Sequence, residues 1–299
     1  MSAAPSPHAR GLLLTAIGGL ALSFDIPLIK LANGDVWSIL LLRGAATFAA
    51  AIVIWLIWRA LTPSSPPLIP GRAGLAVAAC YGATSTFFIG AVYYTSAANL
   101  VFIVAFSTVF ATAFSWLFLR ERPALHTLIA IAVMIFAIGL IVRDGFSSGG
   151  WFGDLLAFGA AISIAAALVI SRASGKDMGL TPLVAVVIPA AIGGFMVAGN
   201  GLTVEAPGWI LFHGAVVIPV AFILLARGPR YLSGPEVAMF YLLETVLAPV
   251  WVWLIFSEAP SHQSLIGGSL LIAVLVAHCA WQVHAGRRLA QAQLLHQAA

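Results

Sequence analysis

An all-α integral membrane fold of ten transmembrane helices, built as two inverted five-helix repeats around a central cavity, is predicted by three observations. They are the composition, the spacing of apolar windows together with the placement of positive charge, and an internal repeat. Of 299 residues, 62% are hydrophobic and 8% charged, with a mean hydropathy of +1.05. A soluble domain carries roughly 25% charged residues to keep its surface in water, so most of this chain faces lipid or its own core. The expected units are residues 1–147 and 148–286, one five-helix repeat each, and a polar, amphipathic, fraying cytoplasmic tail over 287–299.

Apolar windows bounded by Gly, Pro or charge fall near 11–31, 36–58, 72–95, 97–118, 124–143, 151–172, 181–199, 208–226, 235–256 and 262–284. Each reaches the roughly 20 residues needed to cross the hydrocarbon core as a helix. The runs are continuous and do not alternate, which excludes a β-barrel; helices then satisfy the backbone hydrogen bonds internally. With the N-terminus inside, eleven of the 14 Lys and Arg residues fall on the cytoplasmic side: Arg10, Arg59, Arg72, Arg120, Arg122, Arg172, Lys176, Arg227, Arg230, Arg287 and Arg288. Lys30 and Arg143 fall outside and Arg43 lies within the second window. This is the positive-inside asymmetry; with an even number of spans it puts both termini in the cytoplasm. The positive residues are singles and pairs, not a basic run, so the charge of +4 reads as topology and no nucleic-acid partner is expected. Cys80 and Cys279 lie inside apolar windows and read as packing residues.

A shift of 137 carries the middle of the first half onto the second. Tyr94 maps to Tyr231, Ser96 to Ser233, Thr108 to Thr245, Val109 to Val246, Ala111 to Ala248, Trp116-Leu117 to Trp253-Leu254, Glu121 to Glu258, Pro123 to Pro260 and Leu128-Ile129 to Leu265-Ile266. Matches at Trp, Glu and Pro are not what two merely apolar segments share by chance. Five spans per copy is an odd number, so the second copy enters the bilayer from the opposite face. Folds built this way hold their solute site near the midplane, at the interface of the copies.

The stretch Tyr94-Thr-Ser-Ala-Ala-Asn99 followed by Trp116-Leu-Phe-Leu-Arg-Glu121-Arg-Pro123 resembles the EamA domain of the drug/metabolite transporter superfamily. The second copy, Tyr231-Leu-Ser233 to Trp253-Leu-Ile-Phe-Ser-Glu258-Ala-Pro260, resembles the same pattern, and Arg43 sits where that family often has an arginine. The resemblance covers nearly the whole chain and is specific at the two E-x-P turns. It implies a basket with spans 1–4 and 6–9 around the cavity and spans 5 and 10 at the periphery. It also implies a secondary carrier of the bacterial inner membrane that exports small metabolites. Among members the chain is most similar to amino-acid exporters, including the aromatic amino-acid exporter. A lipophilic cation, a drug or a nucleobase-type metabolite is the alternative solute. Many members have a proline in span 4 where this chain has Phe110 and Thr112, whereas span 9 keeps Pro249, so the halves need not bend alike.

Charged residues at membrane depth cost about 2.5–3.5 kcal/mol each even on the mild insertion scale, so each needs a reason. Glu244, mid-span 9 with no Lys or Arg within a turn, is the leading substrate-binding candidate, as a solute-amine contact or a protonatable carboxylate; Phe240 and Tyr241 lie beside it. Glu236 reads as solvated near the cytoplasmic end. Asp25 and Arg43 both fall about 9–10 Å below the outer surface at 1.5 Å per residue, and are expected to form a structural or gating ion pair, with direct solute contact as the alternative. Pro27 predicts a kink in span 1, and Lys30 is expected to snorkel outward beside Asp35.

Further lining candidates are Tyr81, Asn99, Phe102, Phe106 and Ser163. Phe102 and Phe106 open a four-residue stripe that continues through Phe110, Phe114 and Phe118 and equally suits lipid or helix packing. Tyr94 reads as an interfacial belt residue, Tyr93 as either a belt residue or a hydroxyl offered to the solute, and His213 and His278 as packing residues in apolar helices. No metal or cofactor is implied. An intramembrane enzyme would need a nucleophile with its base; neither H-E-x-x-H nor G-x-S-x-G occurs. A channel would need a ring or filter made by oligomeric symmetry. The expected partners are the solute, the bilayer and, as an open option, protons; a monomer is expected, with a dimer as the alternative.

Overall fold

The computed structural model describes residues 7–62, 67–228, 231–232 and 234–298; Arg230 and Ser233 therefore lie outside the described residues. Among these, ten helices are long and apolar enough to cross a membrane. They are span 1 (His8–Ala32), span 2 (Val36–Leu61), span 3 (Gly71–Tyr94), span 4 (Ala97–Leu119), span 5 (Leu125–Arg143), span 6 (Trp151–Ser174), span 7 (Thr181–Asn200), span 8 (Pro207–Arg227), span 9 (Met239–Phe256) and span 10 (His262–His284). The chain is a multi-pass membrane protein. The tail differs from expectation: the helix that forms span 10 runs unbroken from His262 to Ala298, because nothing after Arg287 breaks it and its Ala, Gln and Leu residues are good helix formers.

Several spans are interrupted, and proline explains most of the interruptions. Pro27 has no N–H to give the Ser23 carbonyl, and span 1 breaks at Ser23–Phe24, between Pro7–Leu22 and Asp25–Ala32. Pro189 likewise precedes no bond to Ala185, and span 7 divides at Val186 into Thr181–Ala185 and Val187–Asn200. Pro219 follows a π-turn over His213–Val217 in span 8. Span 4 breaks at Phe106 without a proline, while span 9 is continuous through Pro249, so the two do differ in shape.

Span 3 packs on span 6 and span 1 on span 8; span 4 lies against span 6 and span 1 against span 9. Spans 2 and 7, 4 and 9, and 5 and 10 pack as pairs. These seven pairings map onto one another when every span is exchanged for the one five positions along, whereas the lesser packing of span 4 on span 10, span 2 on span 3 and span 5 on span 6 does not. Glycine permits the tightest crossings. A Cβ on Gly193 would come 2.5 Å from the Trp37 carbonyl oxygen across spans 7 and 2, and one on Gly267 would come 2.7 Å from the Ala137 carbonyl oxygen across spans 10 and 5.

Of three apolar clusters, the two that include span 1 lie at different depths. The larger holds Ile26, Ile29, Ile39, Leu40, Phe88, Ile89, Leu100, Ile103, Ile210, Ala248 and Val252, with spans 5 and 10 contributing Ile141 and Leu271. The smaller holds Leu22, Ala51, Leu183, Ile218, Ala221 and Leu225. Spans 1, 2 and 8 pass through both, and between the clusters they carry the buried polar side chains Ser23, Asp25, Arg43, Thr47 and His213.

Connections at the two faces are tied by polar contacts. On one face the span 1–2 link joins the span 7–8 link through a Gly34–Val204 bridge, Asp35 N–H to the Thr203 carbonyl at 3.0 Å and Glu205 N–H to the Asn33 carbonyl at 3.1 Å. Tyr93 donates its hydroxyl to the Gly34 carbonyl at 2.6 Å. Asp35 caps span 2, accepting from Trp37 N–H at 2.8 Å and Ser38 N–H at 3.2 Å. Burial pushes the Asp35 carboxyl up, but the Ser38 hydroxyl and these two N–H groups outweigh it and hold the group below the ordinary carboxylate range. On the other face Lys176 donates to the Pro70 carbonyl and Thr181 to the Leu68 carbonyl.

Candidate functional site

The polar layer begins at the break in span 1. Ser23 and Phe24 leave the helical path, and span 9 fills the notch: the Phe24 and Trp251 rings stack at 5.1 Å and the Trp251 indole N–H donates to Ser23 Oγ at 3.0 Å. The next residue, Asp25, opens the second segment of the span and is 5% exposed.

Arg43 of span 2 meets it as the depth argument required. Its Nη2 lies 3.1 Å from Asp25 Oδ2 and 3.4 Å from Oδ1, while Nη1 donates to Ser85 Oγ of span 3 at 2.9 Å. The expected ion pair is therefore a buried, two-oxygen contact extended to a third span. A buried pair is tolerated when the remaining donors and acceptors are also satisfied, and Ser85 supplies part of that.

Sequence reasoning missed the third member. His213, fully buried, places Nε2 3.1 Å from Asp25 Oδ1, off the line of a hydrogen bond. A lone histidine in an apolar helix carries no pattern and reads as packing. Two local features deliver it: the π-turn that starts at His213 rotates the helix face, and Gly214 lets span 8 come so close to span 2 that a Cβ there would be 2.6 Å from the Arg43 carbonyl oxygen. A histidine six residues before a helical proline was the available signal; π-turns recur at functional sites. Arg43 Nε, Thr47 Oγ1 and His213 Nδ1 are buried without a hydrogen-bond partner among the described residues. Orphaned buried polar atoms are places where water or a bound polar group is held.

Glu244 enters the same layer from span 9, within electrostatic reach of Asp25 and Arg43. It receives no hydrogen bond from the described residues. Tyr241, one turn earlier, interacts electrostatically with Glu244 and with Tyr81 of span 3. Tyr241 is 42% exposed. Asp25, Arg43, Tyr81, Tyr241 and Glu244, all predicted, are thus brought together with His213 and Ser85, which were not.

The other predicted lining residues lie apart from this layer. Asn99 is buried and accepts a hydrogen bond from Ser264 Oγ of span 10. Phe102 packs on the same helix, its ring where a Cβ on Gly268 would fall. Phe106, at the break in span 4, makes edge contacts with Phe110 at 5.3 Å and Phe158 at 6.4 Å. Phe240 packs against the smaller apolar cluster, and Ser163 is half-buried on span 6. Lys30 does not stand beside Asp35: it pairs with Glu258 at the end of span 9, since both Asp35 oxygens are engaged in capping span 2 and holding Ser38. Glu236 lies 4.0 Å from His8 Nε2.

A cavity of about 560 Å³ lined by Lys30, Asn33, Val92, Tyr93 and Phe256 opens at the end of span 1, and a crevice of about 280 Å³ lined by Thr112, Glu121, Arg122, Thr127 and Arg172 opens at the ends of spans 4 and 6. Neither includes the polar layer.

No curated protein sequence matches the chain. A solved structure described only as "Crystal structure of protein" is similar over 90% of this chain and 97% of its own, with a TM-score of 0.61 at 15% identity, a likeness of fold alone. Residues 9–143, which hold spans 1 to 5 together with Asp25, Arg43 and Tyr81, match the EamA-like transporter family.

Proposed function

We propose that the chain is an EamA-type secondary transporter that exports small metabolites, amino acids including aromatic ones, across a bacterial inner membrane by alternating access. The polar layer is its solute site. The observation that carries this reading is the pairing of opposite needs at one depth. Among the described residues Glu244 receives no hydrogen bond, it lies within electrostatic reach of Arg43, and Arg43 Nε, Thr47 Oγ1 and His213 Nδ1 have no hydrogen-bond partner. An ammonium on Glu244 and a carboxylate served by the span 2 and span 8 donors would satisfy both, and the aromatic rings of Tyr81 and Tyr241 suit the remainder of an amino acid.

The two-copy architecture, with units 1–147 and 148–286 in opposite orientation, is supported by the 137-residue repeat and by neighbours that persist when each span is exchanged for its counterpart. The eleven-to-two distribution of positive charge supports cytoplasmic termini. Alternating access follows from such repeats, which have two equivalent ways of packing about one site. A second reading, export of a lipophilic cation, draws on the same acid and rings without using the donors.

Counterflow in reconstituted vesicles, with labelled amino acids, organic cations and nucleobases, tests the proposal. Saturable exchange of an amino acid is expected, with Glu244→Gln reducing it at least about tenfold, the loss of one charge-assisted contact. Exchange at the parental rate by Glu244→Gln would remove that residue from the site. Non-saturating flux would point to a pore.

A further inference from the structure

The two E-x-P turns put an acid at the end of span 4 and another at the end of span 9, and both acids are engaged with a cation at the end of a neighbouring span. Glu258 Oε2 holds Lys30 Nζ at the end of span 1, and Glu258 Oε1 accepts the Ala97 N–H at 3.0 Å, at the start of span 4. The Lys30 ammonium also lies 5.9 Å from the centre of the Phe256 ring. Glu121 Oε1 accepts from Arg172 Nη2 at 3.0 Å, at the end of span 6. Spans 9 and 1 are the counterparts of spans 4 and 6, so these are the same contact made twice, once at each face.

The two contacts are not in the same condition. The Lys30 and Glu258 side chains are 22% and 30% exposed and join three spans; those of Arg172 and Glu121 are 65% and 47% exposed and join two. Lys30 lines the cavity at its own face, and Glu121 and Arg172 both line the crevice at theirs. The larger apolar cluster is also packed behind the Lys30 face, with Ile29, Ile89, Leu100 and Ile103 at most 1% exposed.

We propose that Glu258 with Lys30, and Glu121 with Arg172, are reciprocal latches at the two mouths of the transport path, and that this structure has the Lys30–Glu258 latch closed and the Arg172–Glu121 latch slack. The proposal rests on the alternating-access reading and gives it a working part. In the opposite arrangement the Glu121 latch tightens, and Gly234, which the 137-residue shift pairs with Ala97, offers it the N–H that Ala97 now offers Glu258. Latch strength then sets which side the path faces: weakening one latch shifts the population toward opening at that face, and weakening the other shifts it back.

Single-cysteine accessibility tests this without requiring a solute. In a background with Cys80→Ala and Cys279→Ala, Ile89→Cys reports the Lys30 face and Ala221→Cys the opposite one. A membrane-impermeant maleimide is added from either side of oriented vesicles. Glu258→Gln should speed labelling of Ile89→Cys and slow that of Ala221→Cys, by about three- to tenfold each, the range for losing a part-buried ion pair. Glu121→Gln should move both rates the other way. The swap Lys30→Glu with Glu258→Lys should return labelling toward the parental rates, and size-exclusion profiles confirm that each variant is folded. Rates that do not change, or that move in the same direction for both acids, overturn the latches. Opposite shifts in a protein that exchanges nothing in the solute panel would uphold the latches and overturn only the solute assignment.

Discussion

Replacing Arg43 with Met should be among the most damaging single changes to the fold, and replacing Asp25 as well should undo much of the damage. Arg43 gives Asp25 contacts at 3.1 and 3.4 Å, with the two residues 7% and 5% exposed. Removing the arginine leaves a carboxylate in a nearly dry layer with only the misaligned His213 beside it. Breaking a buried pair in this way costs about 3–5 kcal/mol, whereas replacing both partners by uncharged groups is close to neutral. Arg43→Met should therefore lose about 3–5 kcal/mol, and Arg43→Met with Asp25→Asn about 1–2 kcal/mol, the residue of the lost Ser85 bond and imperfect packing. The coupling energy, about 2 kcal/mol or more, is read from a double-mutant cycle on unfolding in mixed micelles. Additive losses, or a single variant within about 1 kcal/mol of the parent, would refute the claim that Asp25 is held as a charge by Arg43.

Two further outcomes are expected. Asp35→Ala should destabilise by about 1 kcal/mol through loss of the span 2 cap. Because the folded Asp35 carboxyl is held below its ordinary range, its contribution is complete above the unfolded value and disappears as pH falls through the folded one; the stability difference between parent and Asp35→Asn should narrow on acidification, and a gap constant with pH would count against the capping role. Gly193→Ala should cost about 1–3 kcal/mol by forcing spans 2 and 7 apart, seen as a lower melting temperature in detergent; an unchanged melting temperature would mean the crossing relaxes freely.

The architecture was legible because lipid imposes its own length scale. Each apolar window became a span, and Pro27 announced its break by the hydrogen bond it cannot make. The break at Phe106 had no such signal, since no proline stands near it. In the site, Asp25 and Arg43 could be paired by depth alone, since adjacent antiparallel helices convert sequence distance into height. His213 could not, because its approach depends on a local widening of the helix and on Gly214 at a crossing. Asn99 and Phe102 show the converse limit. Both were visible as candidates on span 4, but which neighbour they face, here Ser264 and Gly268 of span 10, is a property of the assembled bundle. Lys30 had two acids of similar height to choose from, and capping removed Asp35 from the choice.

Trp251 stands seven residues, two helical turns, beyond Glu244 on span 9, and it grips span 1 at Ser23 and Phe24, the two residues before Asp25. Two acids from opposite halves of the molecule are thereby mounted on a common axle. If the upper piece of span 1 swings about its broken joint, the stacked rings and the indole bond carry span 9 along, so the carboxylates travel as a geared couple instead of drifting apart.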